Sequence, residues 1–218
     1  MNLPLRFVPK GTVYRDDEEK IRLETRNGII QAEYILHEAS SWAGSCRFSP
    51  ECILELQRLA VNQIYRCAGH FRDGPVFIGG GTHKPPDHSE VAANVEAMCD
   101  YVNRNWEAPA NAVHLSAYVM WRLNWIHPFF GGNGRSSRAA SYLVLCARLG
   151  FLLPGVKSIP DLIVANREPY YAALRSADRA CESGGQDVSA MEDLLSSLLA
   201  QQLVSFHELA TGRPAKLL

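Results

Sequence analysis

Residues 127–138 read His127-Pro128-Phe129-Phe130-Gly131-Gly132-Asn133-Gly134-Arg135-Ser136-Ser137-Arg138. An imidazole, a glycine-rich turn and two guanidinium groups thus share one short stretch. The imidazole ionises near neutral pH and suits removal of a proton from an attacking hydroxyl. Gly132, Asn133 and Gly134 permit a tight turn. A helix starting directly after it would aim free backbone N–H groups into the turn and make an anion cradle. Arg135 and Arg138 lie three apart, on one side of that helix, where guanidinium groups can fork onto phosphate oxygens. A helix N-terminus favours anions, so two arginines there are mismatched unless an anion visits. The stretch therefore suits moving a proton while holding a phosphate. A plain interhelical turn with surface arginines and a structural histidine is the competing reading. Phe129 is expected to be a core anchor for the loop. Nothing acidic lies between His127 and the turn, and Gly131 offers no side-chain oxygen to a metal.

The chain that must position these groups has 218 residues, the size of one domain with a substantial core. Its net charge of −1, with 21% charged residues, gives no global basic field for nucleic acid. The six cysteines show no CxxC or Cys/His spacing, which predicts free thiols in a reducing compartment rather than disulfides or a metal site. No signal-peptide run and no membrane-spanning segment are evident, so a cytoplasmic protein is expected.

The pattern along the chain is mostly helical. Residues 1–28 read as an N-terminal extension, in which Ile21-Arg22-Leu23 and Asn27-Gly28 would also suit a hairpin. A helix is expected over 29–41. Ser49-Pro50 looks like a cap and first helical position, with Ile53, Leu56, Ala60 and Ile64 on one face behind it. Between Gly74-Pro75 and Gly79-Gly80, Val76-Phe77-Ile78 reads as a short strand in a small hairpin. Asp87 is placed to cap the next helix, whose stripe is Val91, Val95, Met98 and Val102. A helix ending before His127-Pro128 and another from Gly134-Arg135 to about Leu149 put the motif at a helix–loop–helix junction. Further helix is expected over 160–179 and 190–209. Trp121 and Trp125, four apart, read as core rather than as a base-binding surface.

At these residues the sequence resembles the Fic-domain family, whose pattern is His-Pro-Phe-any-acid-Gly-Asn-Gly-Arg-any-any-Arg. His127, Pro128, Phe129, Gly132, Asn133, Gly134, Arg135 and Arg138 match it in type and spacing. Val76-Phe77-Ile78 with His83-Lys84-Pro85-Pro86 resembles the family's flap, and residues 168–174 resemble a segment of its C-terminal helices. The resemblance implies a mainly α, Fic-type helical domain over 29–180. That domain would carry a small β-hairpin flap and an anion-binding loop between two core helices, with residues 181–218 packing on it as loop and helix.

It also implies transfer of a nucleotide monophosphate, usually AMP from ATP, to a Ser, Thr or Tyr hydroxyl of a target protein. His127 would be the base. Gly132, Asn133, Gly134 and Arg135 would cradle phosphates, and Arg138 would reach the terminal one. The flap residues Gly74, Pro75, Val76, Phe77, Ile78 and Gly79 would dock a target segment. Gly131 departs from the pattern, because active relatives carry there the acid that holds Mg²⁺. Three readings follow: impaired transfer with Mg²⁺ held only by phosphates and water, a different phosphate-containing donor, or a noncatalytic nucleotide- or protein-binding module. Residues 38–44 stand where relatives carry an inhibitory helix, but Ala43 occupies its glutamate position. Inhibition would then be absent or supplied by a separate partner protein.

Overall fold

The computed structural model describes residues 11–42, 48–79, 83–107 and 112–214. The described elements are eight α-helices: α1 Asp17–Ser41, α2 Pro50–Val61, α3 Val91–Arg104, α4 Ala112–Ile126, α5 Asn133–Leu149, α6 Ile159–Ala165, α7 Glu168–Glu182 and α8 Ser189–Thr211. A single 3₁₀ turn, His88–Glu90, leads into α3. The helix expected over 29–41 begins much earlier. Asp16 accepts from the Glu19 backbone N–H, and Asp17, Glu18 and Glu19 fill the first turn, where carboxylates suit the helix dipole. Ile21 to Gly28 is therefore helix rather than hairpin. Ser49 caps α2 by accepting from the Cys52 N–H, with Pro50 at the first helical position.

The centre of the fold is the pair α4 and α5, and α1, α2, α3, α7 and α8 pack around them. Central α4 is apolar on nearly every side, with Leu115, Val119, Met120, Trp121, Leu123 and Ile126 all buried. Small residues let α4 and α5 approach closely. The hydroxyls of buried Ser116 and Ser141 lie 2.7 Å apart, and each donates to the other's backbone carbonyl at 3.0 and 2.9 Å. That reciprocal pairing leaves no buried hydroxyl unsatisfied and fixes the register of the helices that carry the motif.

Among the described residues the expected β-hairpin flap is not formed. Among the described residues the one β pairing is an isolated antiparallel bridge between Thr12 and Tyr65. Residues 75–79 do alternate, with Val76 and Ile78 half-buried and Pro75, Phe77 and Gly79 exposed, which is the period of a strand. A strand needs a partner, however, and the neighbouring backbone is committed elsewhere: the carbonyls of Gly74 and Pro86 accept from the Arg72 side chain. Gly80, Gly81 and Thr82 lie outside the described residues. The five described cysteines, Cys52, Cys67, Cys99, Cys146 and Cys181, form no disulfide.

Candidate active site

His127 follows the last residue of α4 and still closes the helix, its N–H donating to Leu123 at 3.1 Å. Its backbone then turns left-handed, with φ 50°. That conformation is unfavourable for a residue with a Cβ and must be held by its surroundings. The holder is Arg72, which sequence reasoning missed. Arg72 is 3% exposed, and its guanidinium donates to the carbonyls of His127 at 2.9 Å, Gly74 at 3.1 Å and Pro86 at 2.6 Å. A longer bond reaches Ile126 at 3.4 Å, and the Arg72 N–H donates to Pro128 at 2.9 Å. Nothing in the sequence marks this arginine, because its partners are backbone atoms and those at His127, Ile126 and Pro128 are far away in the chain.

The loop after His127 is braced from within. Phe129 is fully buried, as expected of an anchor. The buried Asn133 side chain accepts from the Phe129 N–H at 3.0 Å and donates to its carbonyl at 2.7 Å. Both polar ends of Asn133 are thus committed to the loop, and what it can offer a phosphate is its backbone N–H. Gln57, fully buried in α2, donates to the Gly131 carbonyl at 3.1 Å and accepts from the Gly69 N–H at 2.6 Å. Gly132, at φ 85°, is the N-cap of α5, and a Cβ there would meet Val61 at 2.6 Å. Only glycine fits both demands.

Among the described residues, no side chain caps α5. The first intrahelical bond is from the Ser136 N–H to Gly132 at 2.9 Å, so the N–H groups of Asn133, Gly134 and Arg135 stay free of the helix ladder. Ser136 and Ser137 hydroxyls donate locally, to the carbonyls of Gly132 and Gly134.

The two motif arginines have different fates. Arg135 donates to the Ala60 carbonyl at 2.9 Å and pairs with Glu24 of α1 at 3.4 Å. Arg138 lies over the turn, with one guanidinium nitrogen 3.3 Å from where a Cβ of Gly134 would be. Among the described residues, no hydrogen bond or ion pair engages the Arg138 guanidinium. Burial pushes its pKa down, the nearby Arg167 and Arg135 act in the same direction, and Tyr170 opposes them.

His127, Gly134 and Arg138 line one cavity of about 480 Å³. Its other walls include Ile78 and Gly79 from the flap segment, Trp125 of α4, and Tyr170 and Tyr171 of α7. Trp125 is not simply core: it is half-buried, with the Arg122 guanidinium 4.1 Å from its ring centroid and the His83 ring 5.3 Å away. Trp121 does belong to the interior, where its indole N–H donates to Asp178 at 2.9 Å. A smaller cavity of about 290 Å³ lies between α1, α5 and α6, and Arg135 and Arg138 both reach it. Of the sequence-chosen residues, His127, Gly134, Arg138, Ile78 and Gly79 come together, while Arg135 turns toward α1 and α2.

The half-buried His127 has its pKa lowered to about 4. Desolvation is the main cause, with smaller contributions from Arg72 and His83, against a backbone bond to Asn124. The ring is therefore neutral at physiological pH. Its Nδ1 lies 3.3 Å from the Asn124 carbonyl oxygen, which can only accept. Nδ1 then carries the proton, and Nε2 keeps a lone pair.

Residues 47–145 match the model of the Fic/DOC family. The chain is 31% identical over 129 residues to the protein adenylyltransferase Fic of Drosophila willistoni, covering 58% of this chain and 24% of that relative. The protein of the same name from Drosophila persimilis matches at 31% over 129 residues, covering 58% and 23%. The chain thus spans about a quarter of the length of these curated relatives. The fold is shared with a Fic-domain-containing signalling protein of Bacteroides thetaiotaomicron, with a TM-score of 0.75, 22% identity, and coverage of 93% of this chain and 78% of that one. Fic-1 of C. elegans superposes with a TM-score of 0.67 and 19% identity, covering 98% and 56%. Among the described residues, no helix is long and apolar enough to cross a membrane.

The Mg²⁺ that the sequence resemblance implies does not fit the residues present. Gly131 stands where the resemblance expects its acid, and a Cβ there would lie 2.5 Å from Cε2 of Tyr65. Among the described residues, no group of three or more His, Cys, Asp or Glu side chains is placed to hold a metal. Asp87 accepts from the Ser89 N–H and hydroxyl.

Proposed function

We propose that this Fic domain transfers a nucleotide monophosphate, AMP from ATP first among donors, to a hydroxyl of a target protein. The observation that carries this reading is Arg138: a half-buried guanidinium with no hydrogen bond or ion pair among the described residues, set over the N-terminus of α5, in the same cavity as a neutral histidine. A guanidinium that faces a cavity without a protein partner is free to fork onto phosphate oxygens. The curated relatives are named adenylyltransferases, which supports the same chemistry here.

The Asn133, Gly134 and Arg135 N–H groups and Arg138 would hold the phosphates, and the apolar walls with Trp125 would take the nucleoside. A target segment would lie along residues 74–79, where Pro75, Phe77 and Gly79 are exposed to it. Nε2 of His127 would take the proton of the target hydroxyl. The hydroxyl oxygen would bond to the α-phosphorus, and the bond to the β-phosphate would break, with pyrophosphate leaving on its electron pair. Such a transfer asks the protein mainly for alignment and charge neutralisation. A second reading, nucleotide binding with little or no turnover, is favoured by the ring of Tyr65 in the space an acid would need.

The test is incubation of the protein and candidate acceptor proteins with ATP labelled on either the α- or the γ-phosphate. Protein-bound α-label that requires His127, without γ-label, is expected. Incorporated γ-label would point to phosphate transfer instead. Tight ATP binding with no label in any acceptor would favour the binding reading.

A further inference from the structure

We propose that Tyr65 and Gly131 are a matched pair that closes the motif position from which a carboxylate would hold a divalent cation. The nucleotide phosphates are then seated by Arg138 and the α5 N-terminus alone. This rests on the nucleotide reading of the same site.

The contact is a close one. A Cβ on Gly131 would lie 2.5, 3.0 and 3.1 Å from Cε2, Cδ2 and Cζ of the Tyr65 ring. Real carbon pairs essentially never approach to 2.5 Å, so either the ring or the loop must yield.

Both are restrained by their surroundings. The Tyr65 backbone is pinned by its bridge to Thr12 and by its N–H donating to Val61 at 3.2 Å. Its ring packs with Tyr14, Leu23 and Ala68 against buried Ala60, Val61 and Ile64. On the other side, Gln57 holds the Gly131 carbonyl, and the next residue, Gly132, rests so close to Val61 that it too excludes a Cβ. Two successive residues of the loop therefore lie flat against α2 and the turn after it. A single change of Gly131 to an acid would lift this loop, not simply add a ligand.

The pair thus sets how phosphate charge is met. With no oxygen available from position 131, the cationic groups left at the turn are Arg138 and the backbone N–H groups of α5. Metal would accompany the donor only on the donor's own phosphates.

The experiment uses the whole chain with four sequences: wild type, Gly131→Asp, Tyr65→Ala and the double variant. Thermal unfolding, Mn²⁺ binding by electron paramagnetic resonance, and ATP calorimetry in Mn²⁺ or in EDTA are read for each. For the wild type we expect no Mn²⁺ binding without nucleotide, and ATP affinity in EDTA within about threefold of that in Mn²⁺. Gly131→Asp alone should lower Tm by about 4–10 °C through overpacking. In the double variant the same Asp should lower Tm by less than half as much, measured against Tyr65→Ala, and ATP affinity should become at least about tenfold metal-dependent.

The proposal is overturned if Gly131→Asp melts with the wild type and gains metal-dependent binding unaided, or if the two changes are simply additive. A wild type that binds ATP only with Mn²⁺ would overturn it as well. A wild type that binds ATP under neither condition would overturn the nucleotide reading, while the melting temperatures would still decide whether Tyr65 and Gly131 are coupled.

Discussion

The Arg72 guanidinium donates to the carbonyl of His127 at 2.9 Å, so a buried cation from before the flap segment holds the backbone of the proposed base. The same guanidinium reaches Gly74 and Pro86. Arg72 therefore fixes the backbone that carries the imidazole and Gly74, the first residue of the segment proposed to carry the target, as well as Pro86 beyond it. It is a positioning residue, because it acts on the reaction through His127. Arg72→Met should lower kcat for transfer by at least about tenfold and leave the ATP Kd unchanged. The His127 pKa, read by NMR titration, should rise toward its ordinary value, since a positive charge is removed and water gains access. Arg72→Lys should not rescue the rate, because one ammonium cannot span the separate carbonyls that a planar fork reaches. An unmoved His127 titration in Arg72→Met would contradict this role.

The lowered pKa of His127 also predicts how acid acts on the protein. An unfolded histidine takes up a proton below its ordinary value of 6.5, whereas the folded one resists until about 4. The stability contributed by the neutral ring is therefore complete above pH 6.5 and is lost as pH falls from 6.5 toward 4. His127→Gln should melt with less pH dependence than wild type across that window. The same substitution should reduce transfer by about 10²–10⁴-fold while ATP still binds. Wild-type transfer should stay flat from neutral pH down toward pH 5 or so, without the inflection of an ordinary histidine.

Asn133 is a brace within the loop. Replacing it with Ala leaves the buried N–H and carbonyl of Phe129 without partners, which costs about 1–3 kcal/mol. Thermal or urea unfolding of Asn133→Ala should show a loss of that size. A loss of ATP affinity with unchanged stability would instead mean that its side chain touches phosphate directly.

Glu24 contributes little by comparison. Its pair with Arg135 is 3.4 Å long and roughly a third exposed on both sides, where solvent screening leaves about 0–1 kcal/mol. Glu24→Ala should change Tm by no more than a few degrees and ATP affinity by less than about threefold. A large gain in affinity would show that this pair obstructs the nucleotide.

Much of this site could be read from sequence because its main parts are local. His127, the Gly132-Asn133-Gly134 turn and the arginines follow one another in the chain, and the helices on either side show in their apolar spacing and caps. What escaped was the part built by distant residues. Arg72 reaches His127 through backbone carbonyls, Tyr65 occupies the space beside Gly131, and Glu24 turns Arg135 aside, none of which leaves a local pattern. The flap was misread for a related reason. Val76, Phe77 and Ile78 alternate as a strand does, but period alone does not supply a pairing partner. Trp125 packs against the core as its spacing from Trp121 suggests, and its half-buried ring also faces the cavity.

The most direct test of the account is calorimetry of ATP binding to the wild type, Arg138→Ala and Arg135→Ala. Of the two motif arginines, Arg138 has no hydrogen bond or ion pair among the described residues, so its loss should weaken binding by at least about tenfold, consistent with charged hydrogen bonds worth about 1.5–3 kcal/mol. Arg135 is already engaged by Ala60 and Glu24, and its loss should matter by less than about threefold. Wild-type affinity retained in Arg138→Ala would contradict the phosphate seat and the transfer chemistry built on it.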